Sequence, residues 1–147
     1  MNQVYHGRCL CGAIRYEAKN LSPLMAHCHC SMCRKFHGAA FATFGEVAVE
    51  DFKWLQGESE LQTYQAVNGT LRPFCRHCGS RLTFSPSSAR LAFVEFALGT
   101  LDTPLDLRPD AHIFGGSKAN WSCIADGLPQ FEAGRGSASL TQSLSDI

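Results

Sequence analysis

Eight cysteines stand at positions 9, 11, 28, 30, 33, 75, 78 and 123 of this 147-residue chain, and seven of them fall into three tight groups. CLC covers 9–11, CHCSMC covers 28–33 and CRHC covers 75–78. Thiols two or three residues apart make awkward disulfide partners, whereas their thiolates converge readily on one ion. The opening stretch MNQVYHGRCLCG has no basic run leading into an apolar one, so it does not read as a secretory signal. The expected compartment is the cytoplasm, where thiols stay reduced. Zinc is the expected ion, because it takes thiolate sulfur at about 2.3 Å in a tetrahedral set and brings no redox chemistry of its own. The spacings do not match the familiar iron–sulfur patterns.

Seven clustered ligands do not divide by four. Cys28, Cys30 and Cys33 lie within six residues and make a natural tripod. That leaves two half-sites, Cys9/Cys11 and Cys75/Cys78, which together would make a four-sulfur site tying two segments 64 residues apart. Four protein sulfurs with no open position describe a structural zinc; three ligands and a vacancy describe a catalytic one. A histidine or Cys123 closing the second site is the alternative, since His6, His27, His29 and His77 all sit near a cluster. If residues 24–30 are extended, His27 and His29 lie on the opposite side from Cys28 and Cys30, which argues against a shared ion.

Weaker signals surround these groups. A thiol substrate carrying carboxylates could be met by Arg34, Lys35, Arg72 or Lys118, although each also reads as a solvated surface charge. His37 and His112 could donate to a developing alkoxide, or serve as satisfied structural histidines. Cys123 reads as a small buried core residue more readily than as a nucleophile.

The elements that must hold these groups read as short strands. Residues 13–18 (AIRYEA) alternate, placing Ile14, Tyr16 and Ala18 on one face. Strand-like runs follow at 39–44, 53–56, 61–65, 70–74, 80–84, 91–98 and 111–114, punctuated by Gly57, Asn68-Gly69, Ser85-Pro86 and Gly115-Gly116. Ser31 is placed to cap a short turn over 32–36. The phenylalanines at 41, 44, 74, 84, 93 and 96 are expected in the core. No segment holds a 3.6-residue period over twelve residues, so the domain is expected to be all-β, a single unit over 1–132 with a small polar tail at 133–147 that frays.

Thirteen basic and thirteen acidic side chains cancel. A nucleic-acid partner would call for a basic excess, and none is expected. No apolar run approaches the roughly 20 residues of a membrane span.

GRCLCGAIRYEA, HCHCSMCRKFHGAAFATF, FCRHCGSRL, LGTLD and AHIFGGSKANW together resemble the glutathione-dependent formaldehyde-activating enzyme family, over about residues 7–131. The resemblance implies a β-tent fold of short antiparallel strands, stapled by zinc and shared with methionine sulfoxide reductase B and a Rab-binding zinc protein. It implies a structural zinc on Cys9, Cys11, Cys75 and Cys78 and a catalytic zinc on Cys28, Cys30 and Cys33, two ions per chain. The implied chemistry is that of a carbon–sulfur lyase, S-(hydroxymethyl)glutathione synthase, which adds glutathione sulfur to formaldehyde; Arg34, Lys35 and Lys118 would be the substrate contacts. The implied partners are a small thiol and a small aldehyde, with a homo-oligomer left open. Two other readings stand beside it: a non-catalytic zinc-stapled module that docks a protein, for which the tripod is superfluous, and a redox enzyme resembling methionine sulfoxide reductase B with Cys123 as nucleophile.

Overall fold

The computed structural model describes residues 3–86 and 92–140. Among these, the chain runs through β1 (Val4–Arg8), β2 (Arg15–Lys19), β3 (Ala26–Cys28), α1 (Ser31–His37), β4 (Ala42–Ala48), β5 (Phe52–Gln56), β6 (Leu61–Gln65), β7 (Leu71–Cys75), β8 (Thr83–Phe84), β9 (Phe93–Ala97) and β10 (Ala111–Ile113). Strands dominate, as expected of an all-β domain, and the one helix has seven residues. No helix among the described residues is long and apolar enough to cross a membrane.

The chain divides into two compact units, one built on Met1–Pro23 and Gly45–Leu107, the other on Leu24–Phe44 and Arg108–Ile147. In the first, β2 lies between β1 and β5, antiparallel to both, and β6 pairs with β7 and β8 with β9. The alternation of 13–18 does what it should: Ile14, Tyr16 and Ala18 are all fully buried, with Val47, Leu82 and Phe96 around them. Tyr16 stacks on Phe52 with ring centroids 5.2 Å apart, and its hydroxyl reaches Thr100 Oγ1 at 2.6 Å, so its polar end is satisfied inside the core. Cys9 and Cys75 sit in this same core.

In the second unit β3 pairs with β4 antiparallel and with β10 parallel. The parallel pair departs from the expected antiparallel pattern; it needs only three residues, and its partners are far apart in sequence. Strand β4 starts in this unit and ends in the other.

The structure corrects several expectations. The helix cap is Cys30 rather than Ser31: the Cys33 amide donates to the Cys30 sulfur at 3.3 Å, and Ser31 is the first helical residue. Cys123 is exposed rather than buried, because the stretch beyond Lys118 forms no strand. Phe93 is exposed, on the outward side of a strand whose Phe96 faces in. Residues 133–140 are tied down through Glu132 N to Ala138 O, Ala133 N to Ser137 Oγ and Leu140 N to Gln130 O, while the rest of the expected tail, 141–147, lies outside the described residues. Position 91, the start of an expected strand, lies outside them too.

Candidate metal centres

The first centre is assembled by two similar turns. After β1 the chain reverses through Cys9–Leu10–Cys11–Gly12, where Gly12 N donates to Cys9 O and Ile14 N donates to the Cys9 sulfur at 3.3 Å. After β7 it reverses through Cys75–Arg76–His77–Cys78–Gly79, where Gly79 N donates to Cys75 O. Gly12 and Gly79 both have φ near +80°, which is the left-handed conformation that each turn requires and that an L side chain resists. The CxC group therefore sits in a turn. Ser80 joins the two turns: its hydroxyl accepts from Leu10 N at 2.8 Å and lies 3.3 Å from the Cys78 sulfur.

The sulfurs of Cys9, Cys11, Cys75 and Cys78 all lie within 4.8 Å of one another. The Cys9–Cys11 and Cys11–Cys75 separations are 3.6 and 3.8 Å. Tetrahedral thiolates about 2.3 Å from zinc are about 3.8 Å apart, so this donor set fits that ion. The four thiols are not equivalent. At Cys78 burial opposes ionisation, but hydrogen bonds from the Ser80 hydroxyl and from the Cys11 and Ser80 amides outweigh it and bring the thiol to about 5. At Cys11 the Ala13 amide pulls downward, while burial and the crowding sulfurs of Cys9, Cys78 and Cys75 push it up to about 11. A cation among these sulfurs would favour the thiolate form of the crowded Cys11.

The second centre lies at the junction of β3 and α1. Cys28 ends the strand, Cys30 caps the helix and Cys33 is in its first turn, with Arg34 N donating to Cys30 O. Their sulfurs form a second group within 4.8 Å, packed on Ala42, Phe44 and Ile113. No further His, Cys, Asp or Glu joins that group among the described residues. The sulfurs of Cys30 and Cys33, then burial, push the Cys28 thiol far above its ordinary value. Three sulfurs this close cannot all ionise without a cation, and three thiolates also fit zinc.

The register of β3 separates two chemistries. Cys28 is opposite Ala42 and Ile113, and His27 is opposite Thr43 and His112. Adjacent residues of a strand face opposite ways, so the thiol and the imidazoles occupy different faces. On the second face His27 Nδ1 meets Thr43 Oγ1 at 2.7 Å, His29 Nε2 meets His112 Nδ1 at 2.7 Å, and His112 Nε2 meets Asp126 Oδ2 at 2.8 Å. Phe41 packs against the rings of His27 and His29. His29 is fully buried, its Nδ1 has no hydrogen-bond partner among the described residues, and burial first, then neighbouring charge, lowers it to about 4.

Histidine does not complete either cysteine group: His6 pairs with Glu17 and His77 with Glu60. Of the cationic candidates, Arg34 is fixed by its Nε, which donates to Ser117 O at 3.1 Å and His29 O at 3.3 Å. Lys35, the next residue of α1, is exposed. Lys118 directs its ammonium to the carbonyls of Ala119 and Ser122. Arg72 is withdrawn from this list: it is 3% exposed and lies over the Phe84 ring at 5.0 Å. His37 stands in the last turn of α1 against Phe36 and Phe44. His112 faces away from the tripod. The grouping of His112 and Asp126 with His27 had no local signal, since both partners come from the far end of the chain.

A family model described as glutathione-dependent formaldehyde-activating enzyme matches residues 4–117. A putative glutathione-dependent formaldehyde-activating enzyme of Halomonas elongata is 30% identical over 123 residues, spanning 78% of this chain and 77% of that protein. An uncharacterised lyase of Schizosaccharomyces pombe is 28% identical over 86 residues, spanning 58% of this chain and 61% of that protein. A crystal structure of a Rhodobacter sphaeroides protein from a structural-genomics effort superposes with a TM-score of 0.58 at 23% identity, covering 69% of this chain and 91% of the other, and shares the fold.

Proposed function

This chain belongs to the glutathione-dependent formaldehyde-activating enzyme family, and from that premise we propose that it is a carbon–sulfur lyase joining a small thiol of the glutathione kind to formaldehyde or a related small aldehyde. The reacting centre is the tripod of Cys28, Cys30 and Cys33; the group of Cys9, Cys11, Cys75 and Cys78 is a closed staple, giving two zinc ions per chain. The observation that carries this reading is the count of donors: four sulfurs in one group and three, with no fourth side-chain donor among the described residues, in the other. Three protein ligands and one open position are what a catalytic zinc requires.

Zinc held by the tripod would supply a Lewis acid that keeps an incoming thiol in its thiolate form. In the overall addition the sulfur forms a bond to the aldehyde carbon, the carbonyl π bond breaks, and the thiol's proton ends on the new hydroxyl. Thiols add to formaldehyde in water unaided, so positioning is the larger part of the task. The chain's own residues supply it. The Cys33 amide, donating to the Cys30 sulfur, fixes that ligand. Arg34, anchored by its Nε, has its two terminal nitrogens free of hydrogen bonds among the described residues and is placed next to the tripod in sequence, as Lys35 is. These two and Lys118 are the cations we assign to the carboxylates of the thiol substrate.

The test is the rate of hemithioacetal formation from glutathione and formaldehyde, followed by NMR exchange on the zinc-loaded protein and its Cys33→Ser variant. Wild type should accelerate exchange above the uncatalysed rate, and Cys33→Ser should return it to that rate while losing one zinc. A folded Cys33→Ser protein with wild-type exchange and the same zinc count as wild type would overturn the assignment.

A further inference from the structure

The imidazole face of β3 carries a donor set that the thiol chemistry does not use. One ring nitrogen each from His27 and His112 and a carboxylate oxygen of Asp126 lie within 4.8 Å of one another. Each imidazole is held from behind by its δ nitrogen, His27 by the Thr43 hydroxyl and His112 by His29 Nε2. That leaves the ε nitrogens as donors, and His112 Nε2 already stands 2.8 Å from Asp126 Oδ2. Metal-binding histidines are built this way: one nitrogen faces the ion, and the other is fixed by a hydrogen bond that sets tautomer and ring orientation.

We propose that His27, His112 and Asp126 form a third metal site, on the face of the β3–β4–β10 sheet opposite the tripod, that takes a divalent first-row transition ion of the zinc or cobalt kind. Two imidazoles and one carboxylate select borderline ions; magnesium and calcium require mostly oxygen. His112 is buried, His27 is half-buried and Asp126 is exposed, so the site is rigid on its protein side and open on the carboxylate side. Such a site keeps positions for water or a small ligand. It is independent of the cysteine groups, since neither its ligands nor Thr43 and His29 contribute to them.

The experiment uses the chain with both cysteine groups loaded with zinc, titrated calorimetrically with further Zn²⁺ and checked by elemental count after dialysis. Wild type should take up one more equivalent. Asp126→Asn and His27→Gln should each lower its affinity by tenfold or more and drop the count by one, with the melting temperature before titration unchanged for the exposed Asp126 variant. Thr43→Val, which removes only the hydroxyl behind His27, should weaken binding by about tenfold. Cys123→Ser should leave it intact. The proposal is overturned if wild type takes up no further equivalent, if Asp126→Asn and His27→Gln bind it as wild type does, or if Cys123→Ser abolishes it, which would assign the ion to the exposed thiol. Because the count is read as a difference of one between variants, it does not depend on how many ions the cysteines hold.

Discussion

At the scale of single residues, the four-sulfur centre depends on a group that is not a ligand. The Ser80 hydroxyl accepts from the Leu10 amide in the first turn and lies against the Cys78 sulfur in the second. Ser80→Ala should therefore leave the fold standing and weaken zinc binding at this centre about tenfold, measured by competition with a colorimetric chelator. The grouping of the seven clustered cysteines into four and three could be read from spacing, because each half-site is local. Cys30 as helix cap was not legible: a sulfur displaced the hydroxyl of the neighbouring Ser31, since the chain places Cys30 in the extended conformation a cap requires. The exposure of Cys123 and the burial of Arg72 escaped for another reason. Both depend on what other segments cover, and residue type alone does not carry that.

At the scale of elements, the pairing of β1 with β2 rests on one close approach. Gly7 is the cross-strand partner of Tyr16, and a Cβ at Gly7 would overlap the Tyr16 ring, which is fully buried and cannot withdraw. Gly7→Ala should destabilise the protein by about 3 kcal/mol in chemical denaturation. The double variant Gly7→Ala with Tyr16→Leu should cost less than the sum of the two single changes, because the clash is shared. A second element-level contact ties residues 133–140 to the start of β10 through Arg135, whose two terminal nitrogens reach both oxygens of Asp110 at 2.5 and 3.1 Å. Burial works against the Asp110 carboxylate, but Arg135 outweighs it and holds the group below its ordinary range. A carboxylate depressed in the folded state stabilises above its unfolded value near 3.9, and that contribution is lost as the pH falls through the lower folded value. Arg135→Gln should return the Asp110 titration, followed by NMR, upward toward about 3.9. Strand β6 was read from sequence with its boundaries intact, helped by Gly57 and by Asn68-Gly69 on either side. The parallel pairing of β10 with β3 was not, because three residues that find a partner more than eighty positions away leave no periodic trace.

At the scale of the whole molecule, the two cysteine centres belong to different compact units. Cys9, Cys11, Cys75 and Cys78 all fall in the unit of Met1–Pro23 and Gly45–Leu107, and the tripod in the other. Loss of one ion should therefore be felt unevenly. In Cys78→Ser, amide hydrogen exchange should accelerate in β1, β2, β6 and β7 and the melting temperature should fall, since an ion held there would close a separation of 64 residues. In Cys33→Ser, those strands should keep their protection and acceleration should be confined to β3 and α1. The segment Leu24–Phe44 interrupts the unit that holds the four-sulfur centre, and this sets a timetable during synthesis. At about 5–20 residues per second, Cys9 and Cys11 wait roughly 3–13 seconds for Cys75 to be made. Through most of that interval the nascent chain displays five thiols, enough to enclose an ion in combinations that never occur in the finished protein. The tripod, complete within six residues, is the first set able to take an ion in its final geometry. Zinc supplied to the ribosome slowly, and zinc supplied in excess, should thus yield different proportions of correctly loaded protein from the same chain.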